Sequence, residues 1–275
     1  MTPMLNIGCG SSFHSDWINL DAAPVSPEVV AHDLRAGLPF PDNHFHAVYA
    51  SHLLEHLQPE PALRLLGECL RVLKPGGIAR IVVPDLETII RTYLGCLEGA
   101  LRGDAESQAR YDWMMLELYD QAVRTGTGGR MATYLEGALR GDQARFVAGR
   151  VGDEAVARPA SPANEASMGA RMSRGFGAAL SAIRKGAAEA CAYVFLGPDG
   201  AAALREGIFR RRGEVHQWMY DRFSLARAMT RAGFLDIRCR AADESEIADF
   251  ARYGLETANG RARKPDSLYV EGRKT

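Results

Sequence analysis

The sequence contains no apolar run approaching the ~20 residues that span a bilayer, and Met1-Thr2-Pro3-Met4 carries no basic, apolar leader. A soluble, cytoplasmic chain with no membrane partner is therefore expected. Cysteine is scarce and unpaired. Cys9, Cys69, Cys96, Cys191 and Cys239 are odd in number and lack metal-type spacing, which fits small buried thiols in a reducing compartment. An excess of either charge is missing too. A net charge of −1 argues against binding nucleic acid by bulk electrostatics. Internal repeats and low-complexity tails are absent. With 275 residues, 47 % of them hydrophobic, the chain suits one large domain or one domain with a big insertion.

What is present first is alternation. Short apolar runs at Met4–Ile7, Trp17–Leu20, Val29–Ala31 and His46–Ala50 precede a helix from about Pro59. Leu63, Leu66, Leu70 and Leu73 share one face of that helix, and Pro75-Gly76-Gly77 ends it. Ile78–Val83 reads as a central strand covered on both faces. This is the βαβ pattern of an α/β protein with a parallel sheet.

From Asp85 to Glu214 strand patterns vanish. Tyr111–Val123 and Met168–Phe195 read as helices, and Gly126–Gly129 and Val151–Asn164 as loops. A helical cap or lid over residues 86–213 is expected, inserted between sheet segments 1–85 and 214–275. Rich in Met, Ala and Arg, it is suited to bury a homodimer face. Sheet character then returns: Ser224 is the expected cap of a helix closed by Gly233, followed by strands at Leu235–Cys239 and Ser267–Glu271.

The strand ends carry the chemistry. Asn6-Ile7-Gly8-Cys9-Gly10 leaves the first strand through glycines, which permit a sharp turn and close ligand approach. Asp21 closes the second, where a carboxylate can accept from both hydroxyls of a ribose. Asp33-Leu34 closes the third, an acceptor beside an apolar side chain that suits an adenine edge and face. Ser51-His52 ends the fourth. A nicotinamide-binding sheet would place a third glycine where Phe13 stands and its acid further on. The Asn/Asp-Pro-Pro-aromatic motif of exocyclic-amine methylases is also missing, because Ala50-Ser51-His52-Leu53 stands there.

Together LNIGCG, WINLD, HDLRAGLPFPD, HLLEH, ECLRVLKPGG and IARIVVPD resemble the class I S-adenosylmethionine-dependent methyltransferases of small-molecule type. They are similar above all to a bacterial group linked to polysaccharide biosynthesis, as are EVHQWMYDRFSL, the AGF turn and RKPDSLYVEG near the other end. The resemblance implies a Rossmann-like, doubly wound, seven-stranded, mostly parallel sheet with an antiparallel last strand beside the sixth. It implies that Gly8, Cys9 and Gly10 line the methionine part of S-adenosylmethionine, Asp21 the ribose, Asp33 and Leu34 the adenine, and Ser51 the sulfonium. Asn6 departs from the acidic residue of many relatives but keeps an oxygen acceptor. O-methylation of a small molecule or saccharide is the implied reaction, and a non-catalytic cofactor-binding or scaffold protein the alternative.

Methyl transfer needs alignment above all, and a hydroxyl acceptor gains from a nearby base. His216 is the first candidate, followed by His56, Asp85, Tyr220 and Asp221. His52-Leu53-Leu54-Glu55-His56 formally matches an inverted zinc-protease pattern, but it begins at a strand end, and no metal is expected.

Overall fold

The computed structural model describes residues 3–137, 139–153, 156, 168–211 and 213–275, with the backbone alone at 168–183 and 185. Its strands are β1 (Met4–Ile7), β2 (Ile18–Asp21), β3 (Val29–Ala31), β4 (Phe45–Ser51), β5 (Leu73–Pro84), β6 (Leu235–Arg240), β7 (Thr257–Ala258), β8 (Arg261–Ala262) and β9 (Ser267–Arg273). Seven of them form one sheet in the order β3-β2-β1-β4-β5-β9-β6, and β7 and β8 pair by themselves. Pairing is parallel from β3 to β5, and β9 runs antiparallel to both β5 and β6. The chain winds outward from β1 to β3 and then returns to β4 on the other side of β1. That reversal opens a crevice outside the carboxyl ends of β1 and β4.

The period of two along β4 and β5 divides the core. Val48, Ala50, Ala79, Ile81 and Val83 face one cluster with Leu5, Ile7, Leu66 and Leu225. Helices α1 (Pro59–Val72) and α7 (Arg222–Ala232) supply its outer layer. Ala47, Tyr49, Ile78 and Val82 face a second, aromatic cluster of Trp17, Phe250, Tyr253 and Tyr269. One residue breaks the apolar run of β5. Arg80 is fully buried, with Nη1 on Glu271 at 2.9 Å, Glu256 against its other side, and the carbonyls of Ala241 and Glu244 accepting as well.

Residues 86–211 contain helices α2 (Leu86–Leu101), α3 (Ala105–Val123), α4 (Gly129–Glu136), α5 (Gly141–Val151) and α6 (Met168–Arg210). Ile89, Cys96, Trp113, Met114 and Val147 form a core of their own. Within it Glu117 accepts from the Trp113 indole at 2.8 Å and pairs with Arg150, fastening α5 to α3. No described helix is long and apolar enough to cross a membrane.

Several expectations need correction. The buried stripe of α1 runs through Ala62, Leu65, Leu66, Cys69 and Val72, so Leu63 and Leu70 lie at its margin and Leu73 opens β5. The helix expected at Met168–Phe195 ends within two residues of that bound, and a second helical segment follows it. That segment begins at Pro198, after a break at Gly197 (φ 72°), and continues to Arg210. Asp221, not Ser224, caps α7: its carboxylate accepts from the amides of Phe223 and Ser224, and Ser224 closes a reciprocal capping box. Of the loop expected at Val151–Asn164, residues 154–155 and 157–164 lie outside the described residues, while Val151 ends α5.

Candidate functional site

A cavity of about 410 Å³ opens at the crevice, a size that accommodates one small ligand or cofactor. Asn6, Gly8, Cys9 and Gly10 from the β1 exit and Ser51 and His52 from the β4 exit border it. Gly8 and Gly10 both have positive φ, 63° and 52°. A Cβ on Gly8 would lie 2.8 Å from Leu53 Cδ1, so a side chain there requires Leu53 or the loop to shift. Asn6 is wholly buried. Its Nδ2 donates to the Ser12 carbonyl at 3.0 Å and to Asn19 Oδ1 at 3.1 Å, which leaves Oδ1 without a partner. Burial, with the Asp21 charge nearby, pushes the Cys9 thiol up to about 11, so it stays protonated.

Asp21 clamps this loop. Its Oδ2 accepts from the Gly10 amide and its Oδ1 from the Ala23 amide, each at 2.8 Å. Asp33 caps the single 3-10 turn Leu34–Ala36, and its carboxylate, gripped by the Arg35 guanidinium, is held down to about 2. Asp21, Asp33 and Leu34 do not border the cavity.

The far wall comes from a part of the chain that strand patterns do not reveal. Asn259 (φ 52°) and Gly260 (φ 73°) turn the β7–β8 hairpin, the two-residue geometry that Asn-Gly favours. The hairpin brings Glu256 on one side and Lys264 on the other to the cavity, beside Tyr49 and Tyr269. Glu256 Oε1 has no hydrogen-bond partner, and burial pushes this carboxyl up to about 7 against the pull of Arg80.

A second cavity of about 200 Å³ adjoins the first. Gln121 of α3, Met131 and Leu135 of α4 and Val151 of α5 form one side, and Asp266 the other. His52, Val151 and Lys264 border both cavities. His52 is held in the left-handed region at φ 52°, a sparsely populated conformation for a non-glycine residue. Its Nε2 lies 2.8 Å from Ser267 Oγ. Burial moves the ionisable groups toward neutrality: it raises Asp266 to about 7, lowers the Lys264 ammonium, and holds His52 well below the usual imidazole range.

The residues first considered as bases lie elsewhere. Asp85 caps α2 through the Glu87 amide and the Thr88 hydroxyl. Asp221 caps α7. Tyr220 is buried, its phenol pushed up to about 12 by desolvation. His216 packs edge-on against His56 at 4.8 Å, and burial holds it down to about 3, which makes it a weak proton acceptor near neutral pH. Among the described residues none of these five borders either cavity. His52, Glu256, Lys264 and Asp266 were missed as candidates. The signals for the last three were Asn259-Gly260 and the charged run Arg263-Lys264-Pro265-Asp266 just before the last strand.

Several known proteins similar to the chain over all or part of its length are methyltransferases. The methyltransferase domain family matches residues 18–81, from β2 into β5. A probable methyltransferase, ltbC, of Aspergillus luteorubrus is 33 % identical over 108 residues, 36 % of this chain. The chain spans only 38 % of the length of that curated relative. Among solved structures, an S-adenosylmethionine-dependent methyltransferase of Thermotoga maritima, possibly a histamine N-methyltransferase, is 12 % identical with a TM-score of 0.39. That similarity covers 100 % of this chain and 83 % of the other. A counterpart from Archaeoglobus fulgidus is 13 % identical over 99 % of this chain and 86 % of its own, with a TM-score of 0.37. Strand order, the antiparallel β9 and the match over residues 18–81 give the chain the fold of the class I methyltransferases.

Proposed function

We propose that the chain is an S-adenosylmethionine-dependent methyltransferase acting on a hydroxyl of a small molecule or saccharide. The observation that carries this reading is the pair of cavities joined at His52 and Lys264, one at the glycine exit of β1 and one walled by α3, α4 and α5. The residues fit the cofactor: Gly8 and Gly10 border the cavity with bare backbone, and two buried acceptors, Asn6 Oδ1 and Glu256 Oε1, lack donors. Those oxygens would take the ammonium of the methionine part. The adenosine would extend past Gly10 toward Asp21, Asp33 and Leu34. When bound, the cofactor supplies an electrophilic methyl on a sulfonium.

The second cavity would hold the acceptor, and its apolar residues Met131, Leu135 and Val151 would exclude water. Asp266 is placed to take the hydroxyl proton, with the Lys264 side chain bordering the same cavity. A carboxyl raised to about 7 is protonated below that pH and becomes a base above it, so kcat should rise through neutrality. Asp266→Asn should remove that rising limb and lower kcat at pH 8 by roughly 10²–10⁴-fold. An unchanged pH profile would transfer the role to another group.

Thermal unfolding tests the reading as a whole. S-adenosylhomocysteine at 100 times its Kd should contribute about 2.7 kcal/mol and raise Tm by roughly 5–10 °C. NAD should leave Tm unchanged, and stabilisation by NAD alone would overturn the assignment.

A further inference from the structure

Beside His52, and outside the lining of both cavities, lies a polar cluster that the proposed methyl transfer does not use. Donor atoms of Glu55, His56 and His216 all lie within 4.8 Å of one another. Glu55 is wholly buried, and neither carboxylate oxygen has a hydrogen-bond partner. His52 Nδ1 is 3.2 Å from Glu55 Oε1 but out of line for a hydrogen bond. His216 is buried too, and its Nδ1 has no partner. Buried polar atoms are nearly always satisfied, so three orphaned atoms converging in one place call for a missing partner. An acidic oxygen and two imidazoles, all acceptors when ionised and neutral, share one natural partner: a cation.

We propose that Glu55, His56 and His216 form a binding site for a divalent transition-metal ion of the zinc class. Two imidazole nitrogens and one carboxylate oxygen are ligands that such ions favour over Mg²⁺ or Ca²⁺, which prefer all-oxygen shells. A tetrahedral ion at about 2.0–2.2 Å from each donor holds them roughly 3.4 Å apart. The donors, now within 4.8 Å of one another, would draw in to that spacing when the ion binds. The backbone beneath is already fixed. Glu55 O accepts from the amides of Gln217 at 2.7 Å and Trp218 at 3.2 Å, the His56 carbonyl accepts from Gln217 Nε2 at 3.0 Å, and the His216 amide donates to the Gln121 carbonyl at 2.9 Å. His56 Nδ1 lies 3.4 Å from the Val215 carbonyl, the second contact that orients metal-binding histidines and leaves Nε2 free to ligate.

This ligand set is not the linear His-x-x-Glu-His pattern. His52 stands at the β4 exit with Nε2 taken by Ser267, and the second histidine comes from beyond the helical insertion. The ion would tie the turn after β4 to the segment leading into α7. The site does not depend on what the two cavities bind.

Titrating Co²⁺ into the full chain after chelator treatment tests the proposal. One equivalent should bind and give the visible d–d absorption of a low-coordinate nitrogen/oxygen site. Zn²⁺ should displace it, and excess Mg²⁺ should not. Glu55→Gln and His216→Ala should each weaken Co²⁺ binding at least 100-fold. S-adenosylhomocysteine binding by Glu55→Gln should persist, which separates failure of this site from failure of the cofactor reading. If His216→Ala does not fold, the isosteric Glu55→Gln decides. Absence of Co²⁺ absorption, or binding equal in wild type and Glu55→Gln, would overturn the proposal.

Discussion

Gly8→Val should lower S-adenosylmethionine affinity more than 100-fold while the sheet stays folded. Two effects act together at this residue. Its φ of 63° lies in the left-handed region, where a side chain costs about 1–2 kcal/mol and a β-branched one more. The new Cβ would also meet Leu53 Cδ1 at 2.8 Å, so the loop must move or Leu53 must repack. Movement of the loop, which the left-handed φ also favours, displaces the Gly8–Gly10 backbone that borders the cavity. A 100-fold loss corresponds to about 2.7 kcal/mol, within reach of these two terms. Gly10 provides the contrast. No protein atom lies within 4 Å of a Cβ placed there, so any affinity loss in Gly10→Ala should come from its left-handed conformation and from the cavity that it borders. Isothermal titration with both variants makes the comparison. Wild-type affinity in Gly8→Val would move the cofactor site elsewhere.

Arg80→Met should destabilise the fold by about 3–5 kcal/mol, a large share of the 5–15 kcal/mol typical of a domain. The guanidinium lies in the middle of β5 and is the shared cationic partner of Glu256 and Glu271. Removing it leaves buried Glu256 without the guanidinium that holds it and Glu271 with Arg240 at 3.5 Å, so Glu256 can stay buried only by binding a proton. The folded-state pKa of Glu256, already pushed up to about 7, would therefore rise further above the unfolded one. For a carboxyl shifted in that direction, stability is greatest below the unfolded pKa and is lost as pH rises through the folded pKa. Urea unfolding should show the variant closer to wild type at pH 5 than at pH 8. Adding Glu256→Gln and Glu271→Gln should recover part of the loss at pH 8. A deficit under 1 kcal/mol at pH 8 would mean that water reaches the trio.

What could be read from the sequence follows from how local each signal is. The sheet strands are short apolar runs with turn residues at their ends, and parallel pairing buries them on both faces. Met4–Ile7 and Ile78–Val83 could thus be located without any partner in view. The residues at the β1 exit follow from the same logic, because a strand end beside a topological reversal faces the crevice. Errors arose where two local explanations compete. Asp221 and Ser224 are both good capping residues three positions apart, and only geometry shows that Asp221 caps while Ser224 answers it. The face of α1 shifted because Cys69 and Ala62 are buried as firmly as any leucine there. The charged run marks Lys264 and Asp266 without saying what they face. Their neighbours, His52 and the residues of α3 to α5, come together only through tertiary structure.

The position of β9 bears on how the chain is made. Arg80 and its partner Glu271 are separated by 191 residues. At translation rates of about 5–20 residues per second, Glu271 is added roughly 10–40 s after Arg80. Throughout that interval one edge of β5, Ile78 to Pro84, has no neighbouring strand, and an arginine destined for burial interrupts its apolar run. An open apolar edge invites association with other nascent chains, and a charge within an edge strand is one way proteins discourage it. An arginine in the middle of β5 is placed to discourage such association until Glu256 and Glu271 arrive to pair with it.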